Sequence, residues 1–265
     1  MFADDADGYL TMRNNAFSLV ELSIVLVILG LLTGGILTGQ SLIRAAELRS
    51  ATTEMSKYLT VVHTFRDKYF ALPGDMSNAT KFWGSMTNCG AANPSGSGTQ
   101  TCDGTGNGTL SGAAAAGQTA EVFTFWQHLA NAGLIEGTYT GITGPSGTVN
   151  AVIGTNVPAS KLPTAGWTAS TYNPASDPNN FAYNYGNSLT LGANNGALDT
   201  SGKILTPEEA WNIDTKIDDG RPGTGSVIGI HITTCTTAAN NTDFNAPYRL
   251  NSTSKECAFR LRNVF

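Results

Sequence analysis

A single carboxylate, Glu21, lies within the most apolar stretch of the chain, FSLVELSIVLVILGLLTGGILTG at residues 17–39. A charged group near the start of a membrane helix costs free energy and is usually functional. One interpretation places Glu21 at the level of the lipid headgroups, where it reaches water. The other is electrostatic: the carboxylate pairs with a cation once the segment leaves water, since an unpaired buried charge is costly.

The cysteines fall into two local pairs with spacings C-x12-C and C-x21-C: Cys89, Cys102, Cys235 and Cys257. Neither spacing is the close C-x2-C of a zinc site. An even number of cysteines downstream of an exported segment favours disulfides over four unpaired buried thiols. The first pair could close a surface loop, because residues 89–117 are dominated by Gly, Ser, Thr, Asn and Ala.

The sequence contains no recognisable catalytic constellation. Its three histidines are dispersed and show neither the H-E-x-x-H nor the H-x3-H spacing of a metal site: His63, His128 and His231. A G-x-S-x-G elbow and a phosphate loop ending in G-K-[ST] are also absent from the sequence. We therefore predict that the chain is not an enzyme and that it requires no cofactor.

One acidic cluster has two interpretations: Asp214, Asp218 and Asp219 precede Gly220 after a predicted short helix. Oxygen ligands crowded in a turn suit calcium, although the spacing is not that of an EF-hand. The alternative is a solvated turn in which Asp219 pairs with Arg221 or Lys216. We include no metal ligand among the predicted site residues.

Composition excludes one large class of partner. Charged residues make up 13% of the 265-residue chain, whereas about a quarter is usual. The formal net charge is −5, and lysine and arginine form no block. Without a basic patch we predict no nucleic-acid partner. A weakly charged polar surface of this kind is typical of many extracellular bacterial proteins.

The apolar run at residues 17–39 must position Glu21. As a helix its 23 residues span roughly 34 Å, enough to cross a hydrocarbon core of about 30 Å. Arg13 precedes the run, which favours a cytoplasmic N-terminus and a periplasmic location after Gly39. A conventional signal peptide would have a shorter apolar region, with the small-residue cleavage site after it. Here the small residue, Ala16, comes before it.

The sequence AFSLVEL at residues 16–22, followed by this apolar run, resembles the prepilin processing signal of type IV pilins and type II secretion pseudopilins. The resemblance implies that a prepilin peptidase cuts between Ala16 and Phe17 and that Phe17 is then N-methylated. This chain departs from the family in one place, because Ala16 stands where glycine is strongly preferred. We expect translation to start at Met12, since Met12 to Ala16 would form a complete short basic leader.

The resemblance also implies a structural subunit of a type IV pilus or a type II secretion pseudopilus, assembled into a helical filament for secretion, adhesion or motility. Its expected partners are itself or other pilins, the prepilin peptidase, an inner-membrane assembly platform and membrane lipid. We expect a single-pass protein of the bacterial inner membrane with a periplasmic head, which enters the filament after assembly. The alternative is a membrane-anchored periplasmic binding protein or enzyme that does not polymerise.

The same resemblance implies roles for individual residues. Glu21 would pair with the new Phe17 amine of a neighbouring subunit. Cys235 and Cys257 resemble the C-terminal disulfide loop of pilins, so we predict one disulfide between them and a second between Cys89 and Cys102.

Apolar residues continue past Gly39 near the helical period, until Pro73 and Gly74 supply a stop signal. They are Leu42, Ile43, Ala46, Leu48, Met55, Leu59, Val62, Phe65 and Tyr69. We predict a helix from Phe17 to about Tyr69. The predicted organisation is a leader, a transmembrane or filament-core helix, a periplasmic continuation of that helix and a disulfide-braced head: residues 1–16, 17–39, 40–72 and 73–265.

The head is predicted to be α+β, with an antiparallel sheet packed on the exposed half of the helical spine. A helix is predicted over residues 121–134 from its apolar spacing, and another begins at Pro207 with Thr206 as its cap. Short runs of alternating apolar residues are strand candidates: residues 148–153, 181–185, 188–191, 226–233 and 258–264.

Overall fold

The computed structural model describes most of the chain: residues 18–112, 115–144, 151–173, 177–196 and 198–265. The chain divides into two compact units, residues 1–46 and residues 47–265. The predicted leader and both residues of the predicted cleavage site, Ala16 and Phe17, lie outside the described residues.

The first helix, α1, runs from Leu19 to Tyr69, which confirms the predicted long N-terminal helix. In the first unit its large apolar side chains, from Leu19 to Ile43, are at least half exposed. Within the described part of the chain, α1 is the one helix long and apolar enough to cross a membrane, and none of its most apolar window is buried. Such a surface requires an apolar environment outside the subunit.

In the second unit, one face of α1 enters the core through five buried residues: Ala51, Met55, Tyr58, Val62 and Phe65. Their spacing of four and three residues places them on a single helical face. Three of the five, Met55, Val62 and Phe65, belong to the predicted apolar pattern, whereas Ala51 and Tyr58 do not. Other residues of that pattern pack against the core while only partly buried: Leu48, Leu59 and Tyr69.

The sheet has four strands: β1 (Ala165–Tyr172), β2 (Gly186–Ala193), β3 (Val227–Ile230) and β4 (Ala258–Leu261). Their spatial order is β1-β2-β4-β3, and every neighbouring pair is antiparallel. The predicted α+β architecture with an antiparallel sheet is therefore confirmed. The predicted strands at residues 188–191 and 258–264 correspond to β2 and β4, although β4 ends at Leu261.

Other strand predictions require correction. Residues 181–185 are not a strand: Phe181 and Tyr185 are both buried, and the Tyr185 hydroxyl donates to the Phe181 carbonyl at 3.1 Å in a local turn. The candidate at residues 226–233 is too long, because His231 takes a left-handed conformation (φ +63°) just after β3. Of the candidate at residues 148–153, residues 148–150 lie outside the described chain, and Ile153 forms an isolated bridge with Val157.

Among the described residues, four further helices follow α1: α2 (Thr80–Trp83), α3 (Glu121–Asn131), α4 (Pro207–Ile217) and α5 (Ile232–Cys235). The predicted start of α4 is confirmed by a capping box. The Thr206 hydroxyl accepts from the Glu209 amide at 3.2 Å, and the Glu209 carboxylate accepts from the Thr206 amide at 3.0 Å. This reciprocal bonding satisfies two helix-end donors.

The C-terminal half of α1 is held in the head by aromatic packing and one carboxylate. The Tyr58 ring packs edge-on against Trp126 of α3 and Trp167 of β1, with centroids 5.1 and 5.4 Å apart. Glu54 accepts hydrogen bonds from Trp167 Nε1 at 2.9 Å and from the Ser160 hydroxyl at 2.6 Å. These contacts join α1, α3 and β1 into one core.

Candidate processing and assembly site

The start of α1 is capped by the side chains of Ser18 and Glu21. The Ser18 carbonyl accepts from the Leu22 amide at 3.1 Å, so Ser18 is the residue that caps the helix. The Ser18 hydroxyl accepts from the Val20 amide at 3.2 Å, and Glu21 Oε2 accepts from the Ser18 amide at 2.9 Å. Glu21 therefore takes the third helical position, where a carboxylate also interacts favourably with the helix dipole.

Glu21 keeps bonding capacity beyond this local contact. Its side chain is exposed, and among the described residues its Oε1 atom forms no hydrogen bond. A carboxylate can accept several hydrogen bonds at once. The capping contact with Ser18 and a contact with an outside cation are therefore compatible.

Two disulfides brace the head. Cys89 and Cys102 are joined, with Cα atoms 5.6 Å apart, and so are Cys235 and Cys257, with Cα atoms 4.9 Å apart. These are the pairs that the sequence led us to expect. Both sulfurs of the second bridge belong to fully buried residues, and the bridge joins the last residue of α5 to the residue that precedes β4, whereas Cys89 is exposed. The second bridge is therefore part of the core, and the first fastens a surface loop.

The end of α1 is linked to the first disulfide loop through a buried histidine on α3. His128 Nδ1 accepts from the Gly74 amide at 2.9 Å, and Nε2 lies 3.0 Å from the Thr101 hydroxyl. Because Nδ1 accepts, Nε2 carries the proton and donates to Thr101, which in turn donates to Gln127 Oε1 at 2.6 Å. Gly74 has φ +85°, and a Cβ there would collide with the Glu121 carbonyl, so only glycine fits.

The predicted dispersal of the histidines agrees with their positions. His63 is exposed on α1, His128 lies in the core, and His231 Nε2 lies 2.5 Å from the Ser201 carbonyl. Each of them has different neighbours. These three side chains do not form a joint site.

Burial gives the head a pH-dependent stability. Desolvation lowers the pKa of His128 to about 4, below its ordinary value of 6.5. As the pH falls from about 6.5 to about 4, the imidazole of His128 becomes protonated in the unfolded chain but stays neutral in the folded chain. We expect this one group to lower the free energy of unfolding by about 3 kcal/mol between those two pH values, and to have no such effect above pH 6.5.

The measurement is the free energy of unfolding in urea at a series of pH values. It is made in detergent for both the wild-type full chain and the His128→Gln variant. The wild-type advantage over the variant should shrink as pH falls from about 6.5 to about 4. Asp214 titrates with the opposite sign in both proteins and cancels in the difference. Parallel profiles for the two proteins would contradict the assignment.

The acidic residues at the end of α4 lie close together, with one oxygen of Asp214, Asp218 and Asp219 within 4.8 Å of the others. Asp218 and Asp219 accept from the following turn, and Asp219 meets Arg221 through the backbone amide at 2.9 Å. Asp214 is fully buried and accepts from the Tyr248 hydroxyl at 2.7 Å. Burial, followed by the charges of Asp219 and Asp218, raises the pKa of Asp214 to about 7. Partial protonation near neutral pH therefore relieves the repulsion among the three acids.

Comparison with known proteins identifies the N-terminal segment. Residues 11–37 match a family model described as the prokaryotic N-terminal methylation motif. The chain carries the type IV pilin and pseudopilin signal. The resemblance of residues 16–22 to that signal is confirmed, and the motif includes Ser18 and Glu21, which cap the start of α1. No curated protein and no solved structure matches the chain.

This methylation motif supports a type IV pilin-like or pseudopilin precursor and suggests a structural subunit. Together with the apolar half of α1, it suggests anchoring in a membrane. The match ends at residue 37. The head must therefore be interpreted from its own residues.

Proposed function

We propose that the chain is a prepilin: a membrane-anchored precursor that loses its leader and assembles into the helical filament of a type IV pilus or a type II secretion pseudopilus. The observation that carries the proposal is the methylation motif at residues 11–37, placed at the start of a helix whose apolar half is exposed within its own unit.

The exposed apolar surface of α1 supports two kinds of contact, one before assembly and one after it. Lipid would cover residues 17–39 before assembly, in a single-pass protein with a cytoplasmic N-terminus and a periplasmic head. Neighbouring helices would cover them afterwards, since tight helix packing can replace lipid contacts. A filament requires a head-to-tail interface that does not close into a ring.

An electrostatic argument supports a role for Glu21 in this assembly. Leader removal would give Phe17 a new α-amine, positively charged at neutral pH because such groups titrate near pKa 8. In a filament core this amine and the carboxylate would both leave water, which costs several kcal/mol per ion unless the two are paired. Pairing Glu21 with the Phe17 amine of a neighbouring subunit neutralises both groups and sets the axial stagger.

One feature favours a second candidate, a membrane-anchored binding protein that does not polymerise. The described head contains a cleft of about 810 Å³ beside the end of α1, lined by residues that include His63, Arg66 and Phe265. This volume lies within the range of small-ligand pockets. The two candidates differ in whether copies of α1 contact one another.

Leader removal tests the proposed processing. In a host with a prepilin peptidase, the intact mass of the purified protein should match a chain that begins at Phe17 and is one methyl group heavier. Ala16→Gly, which restores the residue preferred before the cut, should give the same mature mass. A host without the peptidase should retain the leader. A mature protein that keeps Met12, or one that starts after Gly39, would refute the assignment.

A further inference from the structure

A buried arginine lies on the face of the sheet opposite α1. Side chains alternate between the two faces along a strand, and in β4 the core residues Phe259 and Leu261 flank Arg260. Arg260 therefore belongs to the second face, and only 1% of its surface is exposed. A guanidinium taken out of water costs free energy that its neighbours must offset.

The contacts of Arg260 offset only part of that cost. Its Nη2 donates to Asp199 Oδ2 at 2.6 Å, and its Cζ lies 3.8 Å from the centroid of the Tyr172 ring. Nε and Nη1 are buried and form no hydrogen bond with any described residue. A guanidinium keeps all its N–H donors, because it is not deprotonated in proteins. The N–H groups of these two atoms are therefore left unpaired.

A buried acceptor without a partner lies near this arginine. Asn180 is 5% exposed, and its Nδ2 donates to Asp177 Oδ2 at 2.7 Å and to the Tyr172 hydroxyl at 3.3 Å. Its Oδ1 is buried and accepts no hydrogen bond within the described part of the chain. Most buried polar atoms in proteins are paired, so exceptions need an explanation such as a bound water or ligand.

Arg260 and Asn180 line one cavity of the head, with a volume of about 330 Å³. This volume is at the lower end of the range for small-ligand pockets. The described lining also contains the carboxylates of Asp177 and Asp199. Two carboxylates beside one guanidinium make the cavity unfavourable for an anion.

We propose that this cavity binds a neutral sugar, as a free monosaccharide or as one unit of a glycan. The unpaired groups are donors on Arg260 and an acceptor on Asn180, so the ligand must both accept and donate hydrogen bonds. A hydroxyl does both, whereas an ionised carboxylate only accepts and an ammonium only donates. A sugar presents hydroxyls on neighbouring carbons, which allows different hydroxyls to reach the two residues.

Water also accepts and donates, and it is the competing occupant. The site concerns the head alone, so it applies to a filament subunit and to an anchored monomer alike. It would give the head a means of attachment to glycans.

The experiment is saturation-transfer difference NMR on the full chain, in a detergent without a sugar headgroup. The probes are glucose, galactose, mannose and N-acetylglucosamine, and acetate and methylammonium are tested as ions that only accept or only donate. Arg260→Lys keeps the charge but removes the Nε and Nη1 donors. Asn180→Leu replaces the amide by an apolar group of similar size.

Thr190→Val is the matched control. Thr190 is fully buried on β2 and pairs with Arg260 in the sheet register. Its Oγ1 has no hydrogen-bond partner among the described residues either, but it does not line the cavity. The variant therefore removes an unpaired polar group from the same face without changing the proposed site. Near-UV circular dichroism checks that each variant is folded.

We expect at least one of the four sugars to bind the wild-type chain and the Thr190→Val variant equally well, and neither ion to bind. Arg260→Lys and Asn180→Leu should each weaken sugar binding about tenfold or more. If Arg260→Lys does not fold, Asn180→Leu decides the outcome.

Binding of none of the four sugars to the wild-type chain would indicate that the cavity holds water only, and would overturn the inference. Equal affinity of the wild-type chain and Asn180→Leu would overturn it as well, and so would tighter binding of acetate or methylammonium than of any sugar. None of these measurements requires leader removal or filaments, so a failure of the proposed function is detected separately.

Discussion

Glu21→Gln subunits are expected to insert into the membrane and lose their leader, yet to enter filaments about tenfold less than wild type or worse, because the Phe17 amine of each neighbour would be buried without a counter-charge. Glutamine also forms capping boxes, so the contact with Ser18 is retained. The variant therefore removes the charge and little else. The measurement is the amount of the chain in the filament fraction of cells that make no other copy.

Glu21→Val and Glu21→Ala remove the charge and the capping contact together. Insertion should remain intact in both, since removal of a charge from an apolar run eases insertion, and incorporation should fall as it does for Glu21→Gln. If Glu21→Gln subunits assembled at the wild-type level, the pairing between subunits would be wrong. Glu21 would then act through the helix start or through recognition by the peptidase.

Loss of the Cys235–Cys257 bridge is expected to destabilise the head by about 2 to 5 kcal/mol. The two cysteines are 22 residues apart in the sequence, and both are fully buried, Cys235 at the end of α5 and Cys257 just before β4. β4 lies between β2 and β3, so the bridge is attached next to an interior strand of the folded sheet. Without the bridge, the unfolded chain gains conformational freedom. The measurement is urea unfolding of the full chain in detergent, comparing wild type with the Cys235→Ser, Cys257→Ser double variant.

The other disulfide supplies the matched control. Cys89 is exposed, and the loop that it closes with Cys102 is largely exposed as well. Local opening of such a loop leaves the core intact, so Cys89→Ser with Cys102→Ser should cost clearly less stability. Equal losses for the two double variants would show that loop closure alone, and not a position in the core, determines the effect.

Segments with one dominant physical signal could be predicted from the sequence. The apolar run at residues 17–39 specifies α1, and the Thr206 to Glu209 capping box specifies the start of α4. β1 was missed, because the composition of Ala165–Tyr172, rich in small and hydroxyl residues, resembles a loop. Its pairing with β2 is long-range, and a local pattern does not encode it.

Features of the candidate site with one dominant signal could likewise be predicted from the sequence, and the others could not. Glu21 was predicted because a lone carboxylate in an apolar run is a strong signal. Its contact with Ser18 was missed, although the S-x-x-E spacing of residues 18–21 is visible in the sequence. The role of His128 was beyond sequence reasoning, since its partners Gly74 and Thr101 are distant along the chain.

The claim that copies of α1 pack together is tested most directly by photo-cross-linking. A photoreactive phenylalanine analogue is placed at Ile28, half exposed on α1, and at Phe125, fully buried in the head, as the control. In cells with the assembly machinery, Ile28 should yield a ladder of self-multimers or adducts with another pilin, lost in Glu21→Gln, and Phe125 should yield neither. Lipid adducts alone at Ile28 would contradict the account and favour an anchored monomer.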